Sequence, residues 1–340
     1  MKNGKDRLVF ITGGAGFIGS HLCEAYLDDG ASVLCLDNMQ TGSHDNLESF
    51  AQHPRFHMVE ADVTAPIPEA MLPRSATIDL IINAACAASP PQYQAQPQHT
   101  MLTNVVGTNS LLALAETHAA RFLQCSTSEI YGDPLVHPQI ESYWGNVNPT
   151  GPRACYDEGK RAAETLCFDY KRHNGVDVRV ARIFNTYGPR MQISDGRVVS
   201  NVICQALTGR EITLYGDGQQ TRSFCFVTDL VDGLRRLADH PGGIDGAVNL
   251  GNPNELTMAD LVAMVVRMTK ARSTIVQRPL PVDDPQRRKP DISLATALLG
   301  WTPAVDLNEG LKRTIAFFVD RLTPEVIVGE RAAAEPIAVQ

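Results

Sequence analysis

Two groups of residues in this sequence have side chains at spacings that suit acid–base chemistry on an alcohol. Tyr156 and Lys160 stand four positions apart in Tyr156–Asp157–Glu158–Gly159–Lys160, and on a helix that spacing stacks them on one face a turn apart. An ammonium beside a phenol favours the phenolate and lowers a tyrosine from its usual ~10, so Tyr156 could take the proton of a hydroxyl that is losing hydride. Such a pair also arises by accident in a chain with 8 tyrosines, so its weight depends on what accompanies it. The second group, Ser126–Thr127–Ser128–Glu129–Ile130–Tyr131–Gly132, closes the apolar run 121–126 with hydroxyls and a carboxylate. Alone it could be turn chemistry, because Ser and Thr commonly satisfy loop backbone.

Hydride needs an acceptor, and the stretch Thr12–Gly13–Gly14–Ala15–Gly16–Phe17–Ile18–Gly19 supplies a place for one. It follows the apolar run 8–11 and leads into residues 18–27, whose apolar positions suit a helix. Strand, glycine turn and helix make a phosphate cradle. Without side chains the glycines let backbone N–H groups approach a diphosphate, and the helix N-terminus adds a favourable dipole. A second strand, 32–36, ends at Asp37, where an acid that accepts from an adenosine ribose belongs. Its charge would repel a 2′-phosphate, which selects NAD over NADP. A structural turn with a surface aspartate is the alternative. Asp62, after the strand 56–60, sits where an adenine contact or an ordinary strand-end carboxylate fits equally.

The elements that must position these groups alternate. Residues 79–83, 121–126 and 178–182 read as further strands, 108–118 and 156–173 as helices, 38–46 as a polar loop, and 84–98 as a loop broken by three prolines. Such alternation predicts an α/β fold, a Rossmann-type doubly wound parallel sheet with ligands outside the carboxyl ends of its strands. Helical patterns at 229–238, 257–268 and 307–322 complete a smaller C-terminal α/β substrate lobe. The expected division is 1–184 for the nucleotide-binding part and 185–322 mainly for the substrate, with some segments returning to the first. A mobile tail is expected over 323–340.

At 340 residues and 44% hydrophobic content the chain can bury a large core. A net charge of -8 argues against general attraction to nucleic acid or an anionic membrane. The eight cysteines, at 23, 35, 86, 125, 155, 167, 204 and 225, form no CxxC pair, so reduced thiols are expected and no metal site. The residues before Leu8 are polar and the run after them is too short for a signal-peptide core or a bilayer span, so a cytoplasmic protein is expected.

With cradle, strand end and Tyr/Lys pair together, residues 7–320 resemble the extended short-chain dehydrogenase/reductase superfamily of sugar-nucleotide epimerases, dehydratases and decarboxylases. The 4,6-dehydratases carry Asp-Glu after the threonine, the Asp expelling a hydroxyl; here Ser128 precedes Glu129. Tyr131–Gly132–Asp133–Pro134, Tyr143–Trp144–Gly145, Asn148–Pro149, Gly151–Pro152–Arg153–Ala154–Cys155–Tyr156, Asp195–Gly196–Arg197–Val198–Val199–Ser200–Asn201 and Asp283–Asp284–Pro285–Gln286 are similar to the UDP-glucuronate decarboxylase, or UDP-xylose synthase, family. Two departures stand out. Asn83 replaces that family's usual His, and Cys86–Ala87 replace a Ser-Pro just before the shared Ser89–Pro90–Pro91, in a loop expected near nicotinamide and sugar, where it bears on sugar preference.

The resemblance implies conversion of UDP-glucuronate to UDP-xylose and carbon dioxide, with NAD returned to its starting state. Tyr156 would take the C4 hydroxyl proton, the resulting 4-ketone would accept the electrons released with carbon dioxide, and Thr127 and Tyr156 would hydrogen-bond the enolate. Glu129 would position the protonating water or set a like charge against the substrate carboxylate. Lys160 and Ser128 complete the implied catalytic set. Implied for NAD are Gly13, Gly16, Phe17, Ile18, Gly19, Asp37, Asn38, Asp62, Val63, Asn104, Tyr156 and Lys160. Implied for the UDP-sugar are Ser89, Tyr93, Asn185, Arg190, Arg197, Tyr215, Arg222 and Arg288, guanidinium forks suiting diphosphate in a local positive pocket. A 4-epimerase or 4,6-dehydratase on the same scaffold is the alternative. A scaffold protein without turnover would be expected to lose Tyr156 or Lys160, and both are present. The helices 108–118 and 156–173 pair across a two-fold axis in this superfamily, which implies a homodimer through a four-helix bundle.

Overall fold

The structure, a computed structural model, describes residues 7–67, 77–285 and 287–322. The tail expected from residue 323, and Gln286, lie outside them. The first half alternates as expected: β1 (Leu8–Thr12), α1 (Phe17–Asp28), β2 (Ser32–Asp37), β3 (Phe56–Glu60) and β4 (Leu80–Asn83). Then come α2 (Pro90–Ala95), α3 (Pro97–Leu102), α4 (Thr108–His118), β5 (Arg121–Thr127), α5 (Ala154–Asp169) and β6 (Val178–Ile183). The stretch expected to be a proline-broken loop thus carries two short helices. Its prolines sit in their first turns, where a missing N–H breaks no helical bond and a fixed φ suits the helix.

The second half adds β7 (Thr186–Tyr187), α6 (Val198–Leu207), β8 (Ile212–Tyr215), β9 (Thr221–Ser223), β10 (Cys225–Phe226), α7 (Val227–Asp239) and β11 (Val248–Leu250). It ends with β12 (Glu255–Thr257), α8 (Met258–Thr269), β13 (Ile275–Arg278), β14 (Arg287–Arg288), α9 (Ser293–Leu299) and α10 (Leu307–Arg321). Seven strands form one parallel sheet in the order β11–β6–β5–β4–β1–β2–β3. Because β11 pairs with β6, Val248 opposite Ala181, the chain beyond residue 185 returns to the nucleotide-binding sheet. Strand order reverses between β1 and β4, and a crevice opens there at the carboxyl ends.

Alternation along each strand feeds two cores. Val9, Ile11, Val33, Cys35, Leu80, Ile82 and Leu123 pack on one face, Phe10, Leu34, Leu36, Ile81 and Phe122 on the other. A sheet buried on both faces accounts for the continuous apolar runs of the sequence. Smaller sheets, β12–β9–β14 and β13–β8, stand beyond the crevice and close it from the opposite side. Among the described residues no helix is long and apolar enough to cross a membrane.

Candidate active site

At the end of β1 the chain turns at Gly13, φ +71, whose N–H donates to Leu36 O at 2.8 Å. A Cβ on Gly13 would lie 2.6 Å from Ala84 O, and one on Gly19 would lie 2.0 Å from Gly13 O. Only glycine lets β4 and α1 approach the turn this closely. Gly16, the N-cap of α1, offers no side-chain acceptor, which leaves the first-turn N–H groups open to an anion. Asp37 is buried at the end of β2, where its carboxylate accepts from Ala15 N and Met39 N, both at 2.9 Å. Burial raises its pKa, while the backbone donors Met39, Ala15 and Gly16 work the other way. Asn83 lies under this turn rather than on the cleft wall. It accepts from Thr12 Oγ1 at 2.9 Å and donates to Thr108 Oγ1 and Gln124 Oε1, both at 3.0 Å, so it ties β1, α4 and β5 together. Of the two departures only Cys86 and Ala87 reach the cleft.

The cleft, of about 460 Å³, runs from the glycine turn to the end of β5. There Thr127, last in β5, hydrogen-bonds Tyr156 in the first turn of α5. Lys160, one turn on, donates from Nζ to Cys125 O at 2.9 Å and lies 5.9 Å from the centre of the Tyr156 ring. Burial pushes the phenol well above its ordinary range; Cys86 and Glu129 add to this, and the Thr127 bond opposes it. The lowering expected from Lys160 together with an oxidised nicotinamide is not produced by the chain's own groups alone, because burial dominates. Tyr93 stacks on the Tyr156 ring at 4.9 Å, 6° from parallel, and holds it flat.

Beyond Tyr156 the charges are paired. Glu129, in the short turn after β5, takes a two-pronged bond from Arg288, Nη1 to Oε1 at 2.6 Å and Nη2 to Oε2 at 2.8 Å, and a third from Arg153 at 3.3 Å. Burial works to raise its carboxyl, yet Arg288 and Arg153 prevail and hold it below the ordinary carboxylate range. Arg153 also meets Asp284 at 2.8 Å, and Arg222 meets Asp284 at 2.9 Å and Pro285 O at 2.6 Å. Three guanidiniums thus face two carboxylates, so the local positive pocket is largely compensated from within. Arg197 likewise forks onto Asp195, at 2.5 and 2.9 Å. Asp157, buried beside Tyr156, is pushed up to about 8 by burial and by the charge of Glu129.

The model of the NAD dependent epimerase/dehydratase family matches residues 9–251, which span the glycine turn, the end of β5 and the Tyr156–Lys160 pair. The chain belongs to this family. UDP-glucuronic acid decarboxylase 6 of Arabidopsis thaliana is 53% identical to it over 304 residues, 89% of this chain and 86% of that protein. UDP-glucuronic acid decarboxylase 1 of Danio rerio is 51% identical, covering 92% of this chain and 73% of its own length. The structure of UDP-glucuronic acid 4-epimerase from Bacillus cereus, in complex with UDP-glucuronic acid and NAD, superposes with a TM-score of 0.83 at 25% identity, over 92% of this chain and 99% of that one.

In this family member the cleft wall gathers most of the residues expected there. Gly13, Gly16, Phe17, Ile18, Gly19, Asp37, Asn38 and Val63 line its cofactor end, Lys160, Tyr156, Thr127, Ser128 and Glu129 its middle, and Ser89, Asn185, Arg197, Tyr215, Arg222 and Arg288 the far side. Four expected residues are not among the lining ones. Tyr93 backs Tyr156. Asn104 donates to Thr100 O at 3.0 Å and Cys86 Sγ at 3.2 Å, so it positions Cys86. Asp62, held below its ordinary range although partial burial opposes this, bridges the lining residues Asn38 and His99, each at 2.8 Å. Arg190 pairs with Glu24 at 2.7 Å and Ser49 at 3.2 Å. The chain also places Arg153, Asp284, His99 and Gln192 on the wall. Arg153 and Asp284 stand within the motifs quoted above, but nothing local indicates that they meet.

Proposed function

We propose that this family member decarboxylates UDP-glucuronate to UDP-xylose, taking up one proton and releasing carbon dioxide, with NAD as a recycled cofactor. The observation that carries the reading is the convergence of Tyr156, Thr127 and an ionised Glu129 on one wall of the cleft that begins at the glycine cradle, with Ser128 where a dehydratase needs an acid. Half-identity to the plant and fish decarboxylases over most of their length supports it. The residues fit the cofactor: Gly13, Gly16 and Gly19 with the open N-terminus of α1 would hold its diphosphate, and Asp37 its ribose. When bound, NAD supplies reversible two-electron oxidation at C4 of the sugar.

The remaining work falls to the chain. Tyr156 moves the O4 proton, and with Thr127 it hydrogen-bonds O4 as charge gathers there when carbon dioxide leaves C5. Lys160, anchored on Cys125 O, keeps an ammonium near the phenol. The pairs to Arg288 and Arg153 offset the charge of Glu129, which disfavours the like-charge role; its carboxylate would hold the water that protonates C5. Arg222 and Arg288 would take the diphosphate, and because each already has a carboxylate partner, the substrate must share or displace those pairs, which offsets part of the Coulombic gain. Incubation with UDP-glucuronate and NAD should yield carbon dioxide and a UDP-pentose. Formation of UDP-galacturonate without carbon dioxide would instead mark a 4-epimerase.

The proposal includes a homodimer through α4 and α5. Leu102, 48% exposed at the end of α3, Val106, 39% exposed just before α4, and a shallow, mainly apolar groove lined by Pro97, Gln98, Met101, Leu102 and Cys155 support that face. It also includes a cytoplasmic location, since all eight cysteines are free thiols suited to a reducing compartment.

A further inference from the structure

Residues 189–192 cross from the second half of the chain to the outer side of the glycine cradle, and three of the four bond to α1 or to the segment that follows β2. His21 Nε2, on α1, donates to Pro189 O at 3.0 Å. Arg190, turned by a φ of +71, reaches Glu24 Oε2 of α1 at 2.7 Å and Ser49 Oγ at 3.2 Å, with its guanidinium 5.7 Å from the Phe50 ring. Gln192 Nε2 donates to Thr41 O at 2.8 Å. Gln192, Met191 and Thr41 line the same cleft as Gly13, Gly16 and Phe17. The loop carrying Thr41 is itself fixed to the glycine turn, for Ser43 N and Asn46 Nδ2 both donate to Ala15 O at 3.0 Å. Cradle, loop and crossing segment therefore form a closed ring at the cofactor end of the cleft.

We propose that residues 189–192 are a strap that retains the dinucleotide between turnovers, with Arg190–Glu24 as its anchor and Gln192–Thr41 as its latch. This rests on the NAD reading above. The two fastenings differ in kind. The anchor is a charge-assisted bond stacked on Phe50, and a non-glycine residue in the left-handed region persists there only because its surroundings over-determine it. The latch is a single neutral hydrogen bond to a backbone carbonyl, the weaker closure and the one that opens for exchange. A reaction that returns hydride to the carbon it came from gains from such retention, because a cofactor lost midway strands the oxidised sugar. Arg190, implied as a substrate ligand, becomes a positioning residue for the cofactor.

The test is exchange rather than turnover. Protein loaded with NAD is mixed with excess isotopically labelled NAD, and label uptake is followed on desalting columns. Gln192→Met, which keeps length and removes the donor, and Glu24→Gln, which neutralises the anchor, should each speed exchange by about tenfold, and the double variant by more. Bound stoichiometry and circular dichroism should match wild type. Exchange within about twofold of wild type in all three, with NAD bound normally, would overturn the strap and leave the cofactor reading intact. A wild-type chain that takes up no NAD at all would overturn both.

Discussion

Tyr156 lies beneath Tyr93 with its phenol pushed above the ordinary range, so the proton it would exchange with O4 under the proposed mechanism is held tightly by the chain's own surroundings. Tyr156→Phe keeps the stacked ring and removes the oxygen. NAD binding should survive while turnover falls by at least about 100-fold, as checked by titration and a steady-state assay. Glu129→Gln keeps shape but gives Arg288 and Arg153 a neutral partner. If Glu129 serves C5 protonation, a single-turnover experiment should show NADH building up while UDP-xylose lags; no reduction of NAD at all would move its role to binding or oxidation. Asp157 supplies a pH test. Its folded pKa, about 8, lies above the ordinary 3.8, so the proton it binds stabilises the fold below 3.8 and that contribution is lost as pH rises through 8. Asp157→Asn, a mimic of the protonated form, should therefore gain in Tm over wild type as pH rises from about 5 to about 9, and parallel curves would mean that the carboxyl is not held neutral.

At the scale of elements, the strand–turn–helix unit works because β1, β4 and α1 converge on backbone without side chains. Gly19→Ala would set a Cβ 2.0 Å from Gly13 O, and α1 would have to back away from the turn. A cost of about 1–3 kcal/mol in stability, read as lowered Tm, should accompany a large loss of NAD affinity measured by calorimetry. Affinity within a few-fold of wild type would place the diphosphate elsewhere. The proline segment before α4 follows the same logic of backbone chemistry. A proline stops a helix from the inside but starts one from its first turn, and Pro90 and Pro97 do the latter.

At the scale of the molecule, α3 and the helical turn 103–107 after it pack against α5 and leave Leu102 and Val106 on the outside, a face a second copy could cover. Leu102→Glu with Val106→Glu should convert a dimer into a monomer in sedimentation experiments at micromolar concentration, with the far-ultraviolet spectrum unchanged. A wild type that sediments as a monomer would refute the assembly. The charge array is also a whole-molecule property, since Glu129 comes from the end of β5 and Arg288 from β14 across the cleft.

The parts legible in the sequence are those whose physics is local. A glycine turn between an apolar run and a helix, an acid at the end of the next strand, and a Tyr and Lys one helical turn apart all act through spacings of a few residues, and the parallel sheet follows from their alternation. What tertiary structure alone decided depends on residues far apart in the chain. Glu129 and Arg288 are separated by 159 positions, Arg153 and Asp284 by 131, and Arg190 and Glu24 by 166. The charge that each carries can be read from its name. Whether a guanidinium is open to a phosphate or already bonded to a carboxylate, and whether a tyrosine's proton is loosened by a lysine or tightened by burial, is set by sheet order and by which loops cross the cleft. Those are long-range consequences of packing that no local spacing encodes.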